Sequence, residues 1–326
     1  MKAGVPRDDL SQASEQPLLT LDRAVELGQR ALAVGIEVPD NLAAVMREAH
    51  GLDISRYGES FLVKSLERRR DLVACPAGAA YLDRLRDDRA EAVALYDSLR
   101  VGYSEFFRDP LAFALLERSI LPALAERRAR EGGEIRVWTA GCAAGQEAWS
   151  VAILLDELSA AQTRPVPYRV FATDVCEPDL ATARAGVYSA VAVGNVRLRH
   201  LRDGFTRQGE AYAIVSRIRE RVDFSAYELL DESTTCPPAS IYGDIDLVLC
   251  CNVMLYYRPE TQRFILDKVR GSLAPGGYLI TGETERQIVA GAAGLRALAP
   301  PAAVFRTPAT RQHSCPPPLS PRGAER

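Results

Sequence analysis

The run Val137-Trp138-Thr139-Ala140-Gly141-Cys142-Ala143-Ala144-Gly145-Gln146-Glu147 reads as an apolar strand, a turn of small residues and the start of a helix. Small side chains let a ligand approach the backbone closely, and unpaired N–H groups at a helix start suit a carboxylate or phosphate. Such turns are also glycine-rich for packing reasons alone. Asp174 closes the next apolar run, where an acid can accept hydrogen bonds from both hydroxyls of a ribose. The turn lacks the GxxxxGKS/T spacing of a phosphate loop, and its glycines do not fit GxGxxG. A nucleoside without phosphates therefore fits better than ATP or a dinucleotide. The three histidines, His50, His200 and His313, have no plausible ligand or triad partner near them in sequence. The chemistry must proceed without a histidine base.

The elements that position these residues follow from periodicity. From residue 21 to about 100 the apolar residues recur at helical spacing, as in Leu42, Val45 and Met46, predicting a helical domain after a loose N-terminus over 1–20. One of its helices carries Lys64, Arg68, Arg69 and Arg70, a basic face that nearby acids would balance if it is simply solvated. From about residue 101 to 307 strands alternate with amphipathic helices, which predicts βαβ units and a mostly parallel sheet. Strands are expected at 134–140, 168–173, 222–227, 246–250, 278–281 and 303–307, with helices at 146–158, 177–185 and 260–273. The alternation breaks over 189–221, where a short β-like run at 211–216 suggests a small inserted subdomain. Residues 308–326 are rich in Pro, Ser and Arg and read as disordered.

The bulk numbers narrow the function. With 326 residues and 47% hydrophobic side chains the chain can bury a substantial core. A formal charge of −3 argues against a nucleic-acid binder. No apolar stretch is long enough to cross a bilayer and residues 1–17 do not resemble a signal peptide, so a cytoplasmic protein without membrane insertion is expected. The seven cysteines lack CxxC spacing and read as free thiols; a metal or redox cluster of Cys142, Cys176 and Cys251 is the minor alternative.

Four stretches, in order over residues 51–307, resemble the CheR-type chemotaxis-receptor methyltransferases. They are Ser104-Glu105-Phe106-Phe107-Arg108-Asp109-Pro110; the glycine loop ending in Gly145-Gln146-Glu147-Ala148-Trp149-Ser150; Ala172-Thr173-Asp174 through Ala183-Arg184-Ala185-Gly186-Val187-Tyr188-Ser189; and Cys251-Asn252-Val253-Met254-Leu255-Tyr256-Tyr257. The resemblance implies a class I, Rossmann-like α/β methyltransferase domain with a small N-terminal all-helical domain and a small β insertion. It implies S-adenosylmethionine as cofactor, S-adenosylhomocysteine as product, and no metal. Carried over by position, Arg108 and Tyr256 are the catalytic pair, while Ser104, Arg108, Gly141, Gly145, Glu147, Asp174, Glu228, Leu229, Cys251 and Asn252 are the cofactor contacts. The implied reaction is methyl transfer to a carboxylate, which is ionised at neutral pH and needs no general base. The implied partner is a protein bearing that carboxylate, chemoreceptor-like in the family.

Several pocket positions depart from the family pattern. Cys251 stands where arginine is usual, Gly102 and Glu228 replace asparagines, Ser104 replaces threonine, and Glu283 replaces the histidine of a Gly-His-Ser-Glu turn. These changes remove positive charge and add acid, which opens two alternatives: a methyltransferase acting on a small biosynthetic molecule, and a degenerate member that binds cofactor as a sensor or partner protein.

Overall fold

The computed structural model describes residues 41–75, 79–240 and 243–309. The loose segment expected over 1–20, the first part of the helical region and the tail from residue 310 lie outside these. Among the described residues no helix is long and apolar enough to cross a membrane.

Four helices, Leu42–His50, Glu59–Leu72, Ala79–Asp87 and Arg89–Ser98, make up the N-terminal region. Their apolar stripes meet in one cluster that includes Leu42, Met46, Ile54, Leu62, Leu85 and Leu95. Packing divides the basic face expected from sequence. Arg69 turns inward to buried Glu91, with Nε to Oε1 at 3.1 Å and Nη2 to Oε2 at 2.5 Å, and the Tyr81 hydroxyl donates to the same carboxylate at 2.7 Å. Arg70 pairs with Asp71. Lys64 and Arg68 alone of the four form no ion pair among the described residues.

The strands are β1 (Ile135–Ala140), β2 (Tyr168–Asp174), β3 (Val187–Ser189), β4 (Phe205–Gln208), β5 (Ala211–Ile214), β6 (Val222–Ala226), β7 (Ile245–Cys250), β8 (Leu273–Thr281), β9 (Arg296–Ala297) and β10 (Val304–Arg306). Seven form one sheet in the order β6-β2-β1-β7-β8-β10-β9, parallel from β6 to β8 and antiparallel at the β10 and β9 edge. Both faces are covered, as the continuous apolar runs of β1 and β7 require. Val137, Leu247 and Leu249 face a core completed by helices Leu121–Glu131 and Gln146–Ala161, whereas Trp138, Val248 and Cys250 face helix Pro259–Ser272. The interruption expected over 189–221 is a three-stranded antiparallel sheet, β3-β5-β4, which begins two residues earlier than expected. The strand expected at 278–281 starts earlier, at Leu273, and takes in Ala274-Pro275-Gly276-Gly277. A register shift accommodates it, with Ile245 opposite Leu273 but Leu247 opposite Tyr278, and Gly276 takes φ +71°.

The sheet is anchored at the end away from the cleft by Asp246, which has no exposed surface. Its carboxylate accepts from Arg127, from Arg128 at 2.7 and 3.2 Å, and from the Arg136 backbone N–H at 2.9 Å. Asp246→Ala leaves two half-covered guanidinium groups and a backbone amide without their acceptor. The expected loss is about 3 kcal/mol of folding stability, read as a lower urea midpoint; a midpoint unchanged from the parent would refute the anchoring role.

Candidate functional site

A cleft opens at the carboxyl ends of β1, β2, β6 and β7, where the strand order turns back on either side of β1; open α/β sheets place ligands at such points. The turn after β1 is tied to the end of β2. The N–H groups of Gly141 and Cys142 both donate to the Thr173 carbonyl, at 2.8 and 2.9 Å. Gly141 has φ +77°, and a Cβ there would lie 2.5 Å from Val253 Cγ2, so only glycine fits. Ala143 is also left-handed, at φ +46°, and its N–H donates to Asp174 Oδ2 at 2.8 Å. The Cys176 N–H donates to Asp174 Oδ1 at 2.9 Å. These two bonds fix the Asp174 carboxylate and leave each oxygen further lone-pair capacity for a hydroxyl.

The cleft has two lobes that share Tyr103, Gly141, Cys251 and Asn252. One contains Asp174, Ala143, Glu228, Leu229 and Tyr256; the other contains Ser104, Arg108, Glu147 and Glu283. Ten of the eleven site residues expected from sequence thus line one cleft. Gly145 lines neither lobe. It starts helix Gln146–Ala161 at φ +89°, and a Cβ on it would come within 2.7 Å of the Ala183 Cβ, so packing accounts for it. Trp149 likewise packs, buried against Phe224 and donating to the Ala183 carbonyl at 3.2 Å.

Arg108 is exposed and its guanidinium lies 5.1 Å over the Tyr103 ring. It forms no ion pair among the described residues. Its two sequence neighbours are engaged elsewhere: Glu105 accepts from the Tyr103 hydroxyl, and Asp109 caps helix Pro110–Leu115 by accepting from the Ala112 N–H at 3.1 Å. The preceding residue, Phe107, is strained at φ +53°. Its N–H donates to Ser150 Oγ at 3.0 Å and its ring stacks on His200 at 4.9 Å, which holds the turn that projects Arg108.

The loop after β7 depends on Glu285, which sequence reading passed over in favour of its exposed neighbour Glu283. Glu285 is fully buried and accepts N–H groups from Asn252 at 2.7 Å, Gly282 at 2.9 Å and Leu255 at 3.1 Å. Burial raises its pKa while those amides pull it down. The sequence signal was a second acid directly after an apolar strand. Asn252 is held at φ +60° by this arrangement, and Cys251 precedes it. The Cys251 thiol donates to the Ile280 carbonyl at 3.8 Å, with the Glu147 carboxylate close by. Burial, then the Glu147 charge, pushes the thiol pKa well up, so it stays neutral. Burial likewise raises Glu147 to about 7, helped by the charge of Glu285 and opposed by the nearby Cys251 thiol and the charge of Arg108. No group of His, Cys, Asp and Glu among the described residues has the arrangement of a metal site, and Cys142, Cys176 and Cys251 are free thiols.

These donors fit S-adenosylmethionine. An acid for the ribose, the apolar Leu229 beside it, a glycine where the backbone must be approached and a carboxylate, Glu147, for a cationic end are all present, and no lysine lines either lobe. If Glu147 faces the cationic end of the cofactor, as the resemblance implies, its pKa near 7 should make cofactor affinity pH-dependent. A cation favours the ionised carboxylate, so the affinity for S-adenosylhomocysteine, whose ammonium group is that cation, should rise as pH increases through about 7. Below that, calorimetry should show proton release on binding and about tenfold weaker affinity per pH unit. Cys251→Arg should move the inflection downward; an inflection that stays in place would separate Glu147 from this effect.

The comparisons with known proteins bear on the family of the chain. The family model described as CheR methyltransferase, SAM binding domain, matches residues 103–291. An uncharacterized 104.1 kDa protein in the hypE 3' region of Rhodobacter capsulatus is 32% identical over 265 residues, covering 81% of this chain and 27% of that protein. The chain therefore spans about a quarter of that relative's length. Chemotaxis protein methyltransferase 1 of Pseudomonas aeruginosa is 33% identical over 193 residues, 58% of this chain and 68% of that protein. The chemotaxis protein methyltransferase of Escherichia coli is 28% identical over 250 residues, 75% of this chain and 82% of that protein. With its cofactor domain matched along most of the chain and its cleft built from the expected residues, the protein belongs to the CheR methyltransferase family.

Proposed function

We propose that this chain transfers the methyl group of S-adenosylmethionine to a carboxylate of a protein acceptor, a chemoreceptor-like protein being the leading candidate because its relatives are named chemotaxis protein methyltransferases. The observation that carries this reading is the guanidinium of Arg108, free of ion pairs among the described residues, in a lobe of the cleft whose other charged lining residues are acids. The cofactor supplies a methyl group on a positively charged sulfur, open to displacement by a carboxylate oxygen.

The protein's part is positioning. Arg108 holds the acceptor carboxylate by charge-assisted hydrogen bonds. Tyr256 presents its hydroxyl from the adjoining lobe; burial raises its pKa, partly offset by the Arg108 charge, so the hydroxyl keeps its proton as a donor. Asp174 orients the ribose and Glu147 opposes the cationic end. No base is needed because the acceptor is already ionised. His200, the one histidine beside the Arg108 turn, has its pKa lowered to about 4 by burial and stays neutral. Alignment of this kind is worth large rate factors when reacting atoms are held in line.

A second reading, transfer to a small molecule, draws on Glu147 and Glu283 lining the same lobe as Arg108 with a neutral thiol in the family's arginine position. Incubation with methyl-labelled cofactor and cell extract distinguishes the two: protein-bound label released as methanol by mild alkali is expected for a carboxyl ester. Label in low-mass product favours the second reading. Cofactor binding without any labelled product would favour a sensor role. Arg108→Ala should lower turnover by about a hundredfold, within the range for a lost charge-stabilising contact, while S-adenosylhomocysteine affinity changes only a few-fold; retained turnover would remove Arg108 from the acceptor site.

A further inference from the structure

The connection between the first two described helices, residues 51–58, lies against the cofactor lobe rather than facing solvent. Asp53, Arg56 and Tyr57 line that lobe together with Asp174 and Glu228. Residues 56–58 are joined to residues 256–258 along their backbones. The Gly58 N–H donates to the Tyr256 carbonyl at 2.8 Å, the Arg258 N–H donates to the Arg56 carbonyl at 3.0 Å, and Tyr57 and Tyr257 form an antiparallel bridge. Arg258 Nε adds a bond to the Tyr57 carbonyl at 3.1 Å. The rings continue the contact: Tyr57 stacks on Tyr257 at 5.0 Å with 20° between planes, and Phe61 meets Tyr256 at 4.8 Å. On the other flank, Arg56 pairs with Glu232 at 3.5 Å, in the loop that follows Glu228 and Leu229.

One short segment of the helical region thus touches two of the loops that line the cleft, the one after β6 and the one after β7. We infer that Tyr57 is a cofactor-site residue contributed by the helical region: it closes the nucleoside lobe and, through its stack on Tyr257, holds Tyr256 in place. The inference rests on the cofactor reading above and extends the site beyond the matched residues 103–291. A phenol ring fixed by stacking on one face suits the task, because a stacked aromatic adds contact to a nucleoside while losing little conformational freedom on binding. Helical region and cofactor would then stabilise each other, since whatever loosens the 56–58 bridge also opens the lobe.

The test is calorimetric titration of the full chain with S-adenosylhomocysteine. Tyr57→Ala should weaken binding about tenfold, the scale of one aromatic contact, whereas Tyr57→Phe, which keeps the stack, should stay within about twofold of the parent. Gly58→Pro is the second variant. Gly58 has φ −68°, which suits proline at the residue before helix Glu59–Leu72, so the helix is kept while the N–H to Tyr256 is lost and the ring pushes the two segments apart. It too should weaken binding, with the circular dichroism of the parent. Parent-like affinity in both Tyr57→Ala and Gly58→Pro would overturn the inference while leaving the cofactor reading intact. Failure of the unaltered chain to bind S-adenosylhomocysteine would overturn both.

Discussion

The buried carboxylate of Glu285 is the interaction on which the cleft depends. Excluded from water, it is met by three backbone amides, from Gly282, Asn252 and Leu255. A buried acid satisfied in this way is a strong geometric restraint, because releasing any one amide leaves that N–H unpaired and the carboxylate one bond short in a water-excluded place. The restraint joins the end of β8 to the loop after β7. That loop carries Cys251, Asn252 and Tyr256, and its far end, Tyr256-Tyr257-Arg258, is where the helical region docks. The left-handed backbone of Asn252 persists because the amides on both sides of it are fixed.

Around this frame the electrostatics of the cleft are asymmetric. Arg108 reaches it from an exposed, strained turn, whereas the acids belong to rigid elements: Asp174 at the end of β2 and Glu147 in the first turn of its helix. Cys251 stands where the family resemblance places an arginine, and it sets a neutral thiol beside Glu147 instead. The consequence is a carboxylate balanced near neutrality and awaiting a positive charge. A cleft of this character draws a cationic cofactor without presenting a second guanidinium beside Arg108. Arg108 is the only cationic side chain lining its lobe among the described residues.

Much of this was legible from the chain alone. Continuous apolar runs marked β1, β2 and β7, since strands covered on both faces carry no polar alternation. The small-residue turn and Asp174 marked the nucleoside site because close backbone approach and hydroxyl recognition admit few residue types. The boundaries of helix Glu177–Ala185 were readable from Pro178 near its start and Gly186 just past its end. Where neighbours in sequence decide, the sequence sufficed.

What it could not decide were pairings between distant residues. Arg69 read as part of a basic face until Glu91, on another helix, took it inward. Glu283 drew attention as a departure, yet the buried Glu285 two residues on is the one that holds the loop, a distinction set by which side of the turn faces the core. Arg258 meets Tyr57 across about two hundred residues of chain, and periodicity carries no information about such a contact. The sequence by itself determined an α/β domain with a nucleoside-binding turn and the residue types for methyl transfer, because those follow from local spacing. Only the tertiary structure decided which charges are free and which are neutralised, and that residues 56–58 of the helical region lie against residues 256–258, because burial and long-range packing alone settle which groups share a dielectric environment and a hydrogen-bond partner.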